Sequence, residues 1–76
     1  MNDIPPGNTD ILPPGPRGTT FYCERFTSTV QVRHRISDCR NVLVAEFPLP
    51  YSAQSRQWWA DLFRPAIQDY LRTYGA

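Results

Sequence analysis

With 76 residues, eight basic and seven acidic side chains and a formal net charge of +1, the chain is one domain at most and has too weak a field to imply nucleic acid or an anionic membrane by charge alone. A domain of this size buries only about 60% of its unfolded surface, which excludes a large enclosed active-site cavity. Two cysteines, Cys23 and Cys39, are too few for a disulfide scaffold and match neither a CxxC pair nor a zinc finger.

In chain order, residues 1–17 come first, with five of the eight prolines and two of the four glycines. Proline lacks the amide donor and restrains the residue before it, so this segment predicts a flexible, polyproline-like arm. Its start has neither the basic residues nor the apolar run of a signal peptide. Residues 18–76 are then a single small α+β domain.

From Thr19 onward β-branched and aromatic residues alternate, which predicts strands over residues 20–26, 29–36 and 42–47. The connections Thr27-Ser28 and 37–41 are of hairpin length, so the strands form an antiparallel meander. A first turn at Thr27-Ser28 pairs Phe21 with His34 and Cys23 with Val32. A second near Asp38-Cys39 pairs Val32 with Ala45 and His34 with Leu43. One face then collects Phe21, Cys23, Val30, Val32, His34, Ile36, Leu43, Ala45 and Phe47. The other collects Tyr22, Glu24, Phe26, Gln31, Arg33, Arg35, Val42, Val44 and Glu46. The two registers agree on one apolar face, and a slip of one residue would turn every side chain over. Cys39 lies about four residues from Cys23 along this sheet, roughly 13 Å, too far for a disulfide.

Pro48-Leu49-Pro50 ends the third strand, and Ser52 or Ser55 supplies a helix cap. Residues 52–74 predict one long C-terminal helix, because Trp58, Trp59, Leu62, Phe63, Ala66, Ile67, Tyr70, Leu71 and Tyr74 recur at helical spacing. Pro65 projects from the polar side while the stripe keeps its phase, which predicts a continuous helix kinked near Pro65, with Gly75 as its stop signal. Asp61 with Arg64 and Asp69 with Arg72 are spaced to pair on its surface.

The chemistry-bearing residues do not assemble into a catalytic or metal centre. Structural zinc wants four cysteine or histidine ligands, and the chain has Cys23, His34 and Cys39. Cys23 and His34 share a face of adjacent strands, but no third group or oxyanion hole accompanies them. Glycine-rich phosphate loops are absent, and no cofactor is indicated.

What stands out is the outer sheet face, with Tyr22, Phe26, Arg33, Arg35 and Val44 as candidate partner-binding residues. Aromatics, arginine and aliphatics together are what protein interfaces are enriched in, and Glu24 and Glu46 would repel phosphate. On the helix, Trp58, Trp59, Leu62, Phe63, Ile67 and Tyr70 exceed what one sheet face can cover, so the surplus predicts a homodimer. The expected protein is a non-enzymatic binding module, an inhibitor or adaptor partnered by another protein. A nucleic-acid-binding regulator using the arginine-bearing face is the first alternative, and a thiol enzyme using Cys23 and His34 the second. No apolar run approaches the roughly 20 residues of a membrane span, so the expected location is the cytoplasm.

Overall fold

A computed structural model describes residues 11–74 of the chain. Three antiparallel strands, β1 (Thr20–Arg25), β2 (Thr29–Ser37) and β3 (Arg40–Pro48), form one sheet in the order β1-β2-β3, and a single helix, α1 (Arg56–Tyr74), follows. The α+β class and the meander are as the alternation implied.

The β1–β2 register is the expected one, with Phe21 opposite His34 and Cys23 opposite Val32. Its turn is closed by the Phe26 amide donating to the Thr29 carbonyl at 2.8 Å. The β2–β3 register starts as expected, Val30 opposite Phe47 and Val32 opposite Ala45, and then changes: Arg33 faces Leu43 and His34 faces Val42. Val44 is therefore the extra residue of a β-bulge.

The bulge corrects three expected orientations. Val44, expected on the outer face as a partner-binding residue, packs against the core cluster. Leu43, expected inside, is 45% exposed. Val42 lies opposite buried His34 and not outside. The physical reason is the apolar run Val42-Leu43-Val44-Ala45, which strict alternation would split between faces. Two residues opposing Val32 let Val44 and Ala45 both serve the buried side.

The core joins Phe21, Cys23, Val30 and Val32 of the sheet to Trp59, Phe63 and Ile67, which recur every fourth residue along α1. Leu62, Tyr70 and Leu71 flank it. Trp59 and Phe63 lie 5.5 Å apart between ring centres, and Phe63 meets Phe47 at 5.9 Å. Among the described residues the indole N–H of fully buried Trp59 has no acceptor, a cost of about 1–3 kcal/mol that the burial of so large a ring must exceed.

The helix begins later than the expected residue 52. The Ser55 hydroxyl accepts the Trp58 amide at 3.1 Å, satisfying one free donor of the first turn. The helix runs through Pro65, which is exposed. Removing that amide leaves the Asp61 carbonyl, four residues earlier, to solvent. The expected surface pairs are present, Asp61–Arg64 at 3.1 Å and Asp69–Arg72 at 3.2 Å. Gly75, the expected stop signal, lies outside the described residues.

The N-terminal arm expected over residues 1–17 falls partly outside the described residues as well, and the rest of it is packed. Leu12 is a core residue and Ile11 lies against the same cluster. Pro14 makes an isolated antiparallel bridge to Thr20. Between them Arg17 (φ 57°) and Gly18 (φ 79°) are consecutive left-handed residues, closed by the Thr19 amide donating to the Pro16 carbonyl at 3.1 Å. That is the geometry of a type I′ hairpin turn. Proline is barred from a central strand but not from the outside of an edge strand, so the folded unit extends back to Ile11.

Candidate functional site

Three regions carry polar or aromatic chemistry, and each is built by the fold just described. The first surrounds His34. Thr19 donates its single hydroxyl proton to the Pro16 carbonyl at 2.6 Å, so toward His34 Nε2, also at 2.6 Å, the threonine oxygen accepts. Nε2 therefore carries the imidazole proton, and Nδ1 accepts the Tyr70 hydroxyl at 2.7 Å. The ring stacks on Phe21 at 4.7 Å and meets the edges of Tyr70 and Tyr74. His34 is fully buried, and burial lowers its pKa from the ordinary value. Burial likewise raises that of Tyr70, with Tyr74 adding to the rise and Arg40 opposing it.

Both nitrogens of this imidazole are engaged, one to the N-terminal turn and one to the helix, leaving none to take a proton from Cys23. Burial pushes the Cys23 thiol up to about 12, far from a nucleophilic thiolate. Cys39 is exposed in the β2–β3 turn, and neither cysteine forms a disulfide. Among the described residues no three His, Cys, Asp or Glu side chains come together as a metal set.

The second region is the outer face of the sheet. Its positions form three rows across the strands: Glu24–Gln31–Glu46, then Tyr22–Arg33–Leu43, then Thr20–Arg35–Asn41. Arg33 donates from Nε to Asn41 Oδ1 at 2.9 Å and from Nη1 to Gln31 Oε1 at 2.7 Å. Glu46 accepts from Gln31 Nε2 at 3.0 Å and from the Thr29 hydroxyl at 3.1 Å. The Arg35 guanidinium lies 5.2 Å from the centre of the Tyr22 ring. Glu24, Arg35, Leu43 and Glu46 are exposed, while Tyr22 and Arg33 are half-buried.

Comparison with protein-family models, with curated proteins and with solved structures finds no match to this chain.

The third region is the end of the molecule where the β1–β2 turn meets the start of the helix. An open groove is lined there by Thr27, Ser28, Pro48, Leu49, Tyr51 and Trp58. Tyr51 stands fully in solvent and Trp58 is 39% exposed. Phe26, 43% exposed, sits at the adjacent turn and not on the outer face.

Of the partner-binding residues expected from sequence, Tyr22, Arg33 and Arg35 are brought together, Phe26 is displaced to the turn, and Val44 is turned inward. Leu43 takes the outer position that Val44 was expected to hold. Its signal was the broken alternation of residues 42–45. Among the expected helix residues, Trp59, Phe63 and Ile67 form the core, Leu62 and Tyr70 border it, and Trp58 stays outside. Thr19 and Tyr70 as partners of His34 left no mark in local pattern, since both contacts depend on tertiary packing. Among the described residues no helix is long and apolar enough to cross a membrane.

Proposed function

We propose that this chain is a non-enzymatic protein-binding module, an inhibitor or adaptor in kind, working as a homodimer in the cytoplasm through exposed aromatic and arginine side chains. The observation that carries the reading is the outer sheet face. Its arginines are held in place by neutral acceptors and an aromatic ring, so little side-chain entropy is lost when a partner arrives. Tyr22, Arg33, Arg35 and Leu43 there are of the types that anchor interfaces or fill their apolar centres. The engaged, neutral His34 and the buried thiol of Cys23 give chemistry no foothold on the opposite face. The test is capture of protein partners by immobilised chain under nuclease treatment, comparing the wild type with Tyr22→Ala and Arg33→Ala. Loss of capture in these variants supports the reading. Capture abolished by nuclease supports a nucleic-acid ligand instead.

A further inference from the structure

The two edges of the sheet are finished differently. Along β1 the chain that precedes it returns to make the Pro14 bridge to Thr20. Along the outer side of β3 no backbone of the described residues pairs. Which groups of β3 face that side follows from two hydrogen bonds, the Phe26 amide to the Thr29 carbonyl and the Leu49 amide to the Ser28 carbonyl. They set the phase of β2, so that Thr29, Gln31, Arg33 and Arg35 turn their amides and carbonyls to β1, and Val30, Val32 and His34 turn theirs to β3. Opposite the latter, Phe47, Ala45 and Val42 of β3 bond inward, which leaves Glu46, Leu43 and Asn41 with their backbone groups facing out.

These open positions are evenly spaced despite the bulge. They stand beside Gln31, Arg33 and Arg35, each two residues from the next, because the bulge folds three steps of β3 into two of its neighbour. An added strand therefore meets donors and acceptors at the ordinary interval of about 7 Å. Proline and lysine, which commonly blunt an edge, are absent between Arg40 and Phe47. On the outer side of this edge Leu43 is exposed, and Glu46 carries a charge whose hydrogen-bond partners, Gln31 and Thr29, are neutral. On its inner side Val44 and Phe47 are half-buried against the core cluster.

Resting on the protein-binding reading above, we infer that the outer edge of β3 receives an extended segment of the partner protein as a fourth, antiparallel strand. Main-chain bonds to Glu46, Leu43 and Asn41 hold that segment, and its side chains at alternate positions select it. It carries Lys or Arg beside Glu46, an apolar residue two positions on beside Leu43, and an apolar residue between them that covers Val44 and Phe47 on the inner side. Charge sets the basic residue, since a cation there is the cross-strand complement of a carboxylate otherwise bonded to neutral groups. The same charge argues against a second copy in this place. Antiparallel pairing with another β3 sets Glu46 beside Leu43 or Asn41, neither of them a cation. The added strand extends the Tyr22–Arg33–Leu43 row, so a partner held at the edge also lies next to the anchors of the outer face.

The probe is a displayed library of random dodecapeptides, selected on the immobilised full chain. Selected peptides should share a basic residue two positions from an apolar one, bind with a dissociation constant of about 100 μM or tighter, and slow amide hydrogen exchange at Asn41, Leu43 and Glu46. Methylating the backbone nitrogens of such a peptide one at a time should abolish binding at alternate positions only, because every second amide faces β3. Glu46→Pro, which removes an outward amide and no ladder bond, should weaken binding at least about tenfold more than Glu46→Ala does. Glu46→Lys should turn the selected residue from basic to acidic. The methylated peptides carry the test should Glu46→Pro fail to fold. Selection of no peptide, protection of amides away from β3, indifference to the methylated position, or a selection unaltered by Glu46→Lys overturns the inference. If it is overturned while Tyr22→Ala and Arg33→Ala still lose a captured protein, the edge assignment falls and the binding-module reading stands. If capture is also indifferent to those variants, both fall.

Discussion

The most direct structural consequence of the His34 node is a stability that depends on Tyr70 and on pH. Replacing Tyr70 with Phe keeps the ring against Phe21 and Tyr74 but removes the donor to Nδ1, leaving a buried acceptor with no partner. Such a group costs about 1–3 kcal/mol, and in a domain of this size each kcal/mol lowers the midpoint of thermal unfolding by about 4–8 °C. Tyr70→Phe should therefore lose at least about 4 °C. The pH arm follows from the lowered pKa. Because the folded value lies below the ordinary 6.5, the unfolded chain takes up the proton first as pH falls. The contribution of neutral His34 is thus fully present above pH 6.5 and is lost as pH drops through 6.5 toward the folded pKa, at up to about 1.4 kcal/mol per pH unit. His34 is the chain's one histidine, so a urea-denaturation series between pH 7 and pH 5 reads it almost alone. His34→Gln should abolish the slope. A flat profile in the wild type, a His34 titration at or above 6.5 by NMR, or a Tyr70→Phe variant as stable as the wild type would refute the assignment of the tautomer and its partners.

Three further outcomes are expected. Phe63→Ala should cost about 3–5 kcal/mol, which is most of the stability that about 60 ordered residues supply, so its unfolding transition should be lost or nearly so by circular dichroism; a loss under 1 kcal/mol would contradict the packing. A Cβ at Gly15 would overlap the Thr19 hydroxyl and carbonyl, whereas Gly18 has open space but a left-handed backbone. Gly18→Ala should cost about 1–2 kcal/mol in chemical denaturation, and Gly15→Ala more, since it also pushes Thr19 away from His34. Maleimide labelling followed by intact mass should modify the native protein once, at exposed Cys39, with Cys23 reacting only after denaturation; rapid double labelling would mean that Cys23 is not where the core places it.

The elements and one of the two strand registers were legible because they follow from local pattern. Alternation in residues 20–36 leaves a single apolar face, and the helix stripe through Trp59, Phe63 and Ile67 keeps its phase across Pro65. The second register could be read only as far as Ala45. Beyond it the apolar run requires a bulge, and which residue bulges depends on tertiary packing, Val44 being the one that lies against the core cluster. The proline-rich segment misled for a related reason. Its composition forbids regular ladders, yet Leu12 needs only one apolar seat on the helix, and the left-handed pair Arg17-Gly18 turns the chain back to reach it. For the outer face, residue types were visible in sequence, but their separation into a glutamate row and arginine rows needed the register between all three strands. The engagement of His34 was invisible, because Thr19 and Tyr70 lie 15 and 36 residues away from it.

The measurement that bears most directly on the binding-module reading is quantitative capture of protein partners, under nuclease, by the wild type, by Tyr22→Ala and Arg33→Ala on the outer face, and by Cys23→Ser on the buried one. Interface energy concentrates in tyrosine and arginine anchors, where truncation costs about 2 kcal/mol or more. The outer-face variants should weaken binding by at least about tenfold, the equivalent of 1.4 kcal/mol, with unchanged unfolding curves, and Cys23→Ser should bind as the wild type does. The contrary result is full binding by the outer-face variants together with loss of activity in a still-folded Cys23→Ser, which would put a thiol at the centre of what this protein does.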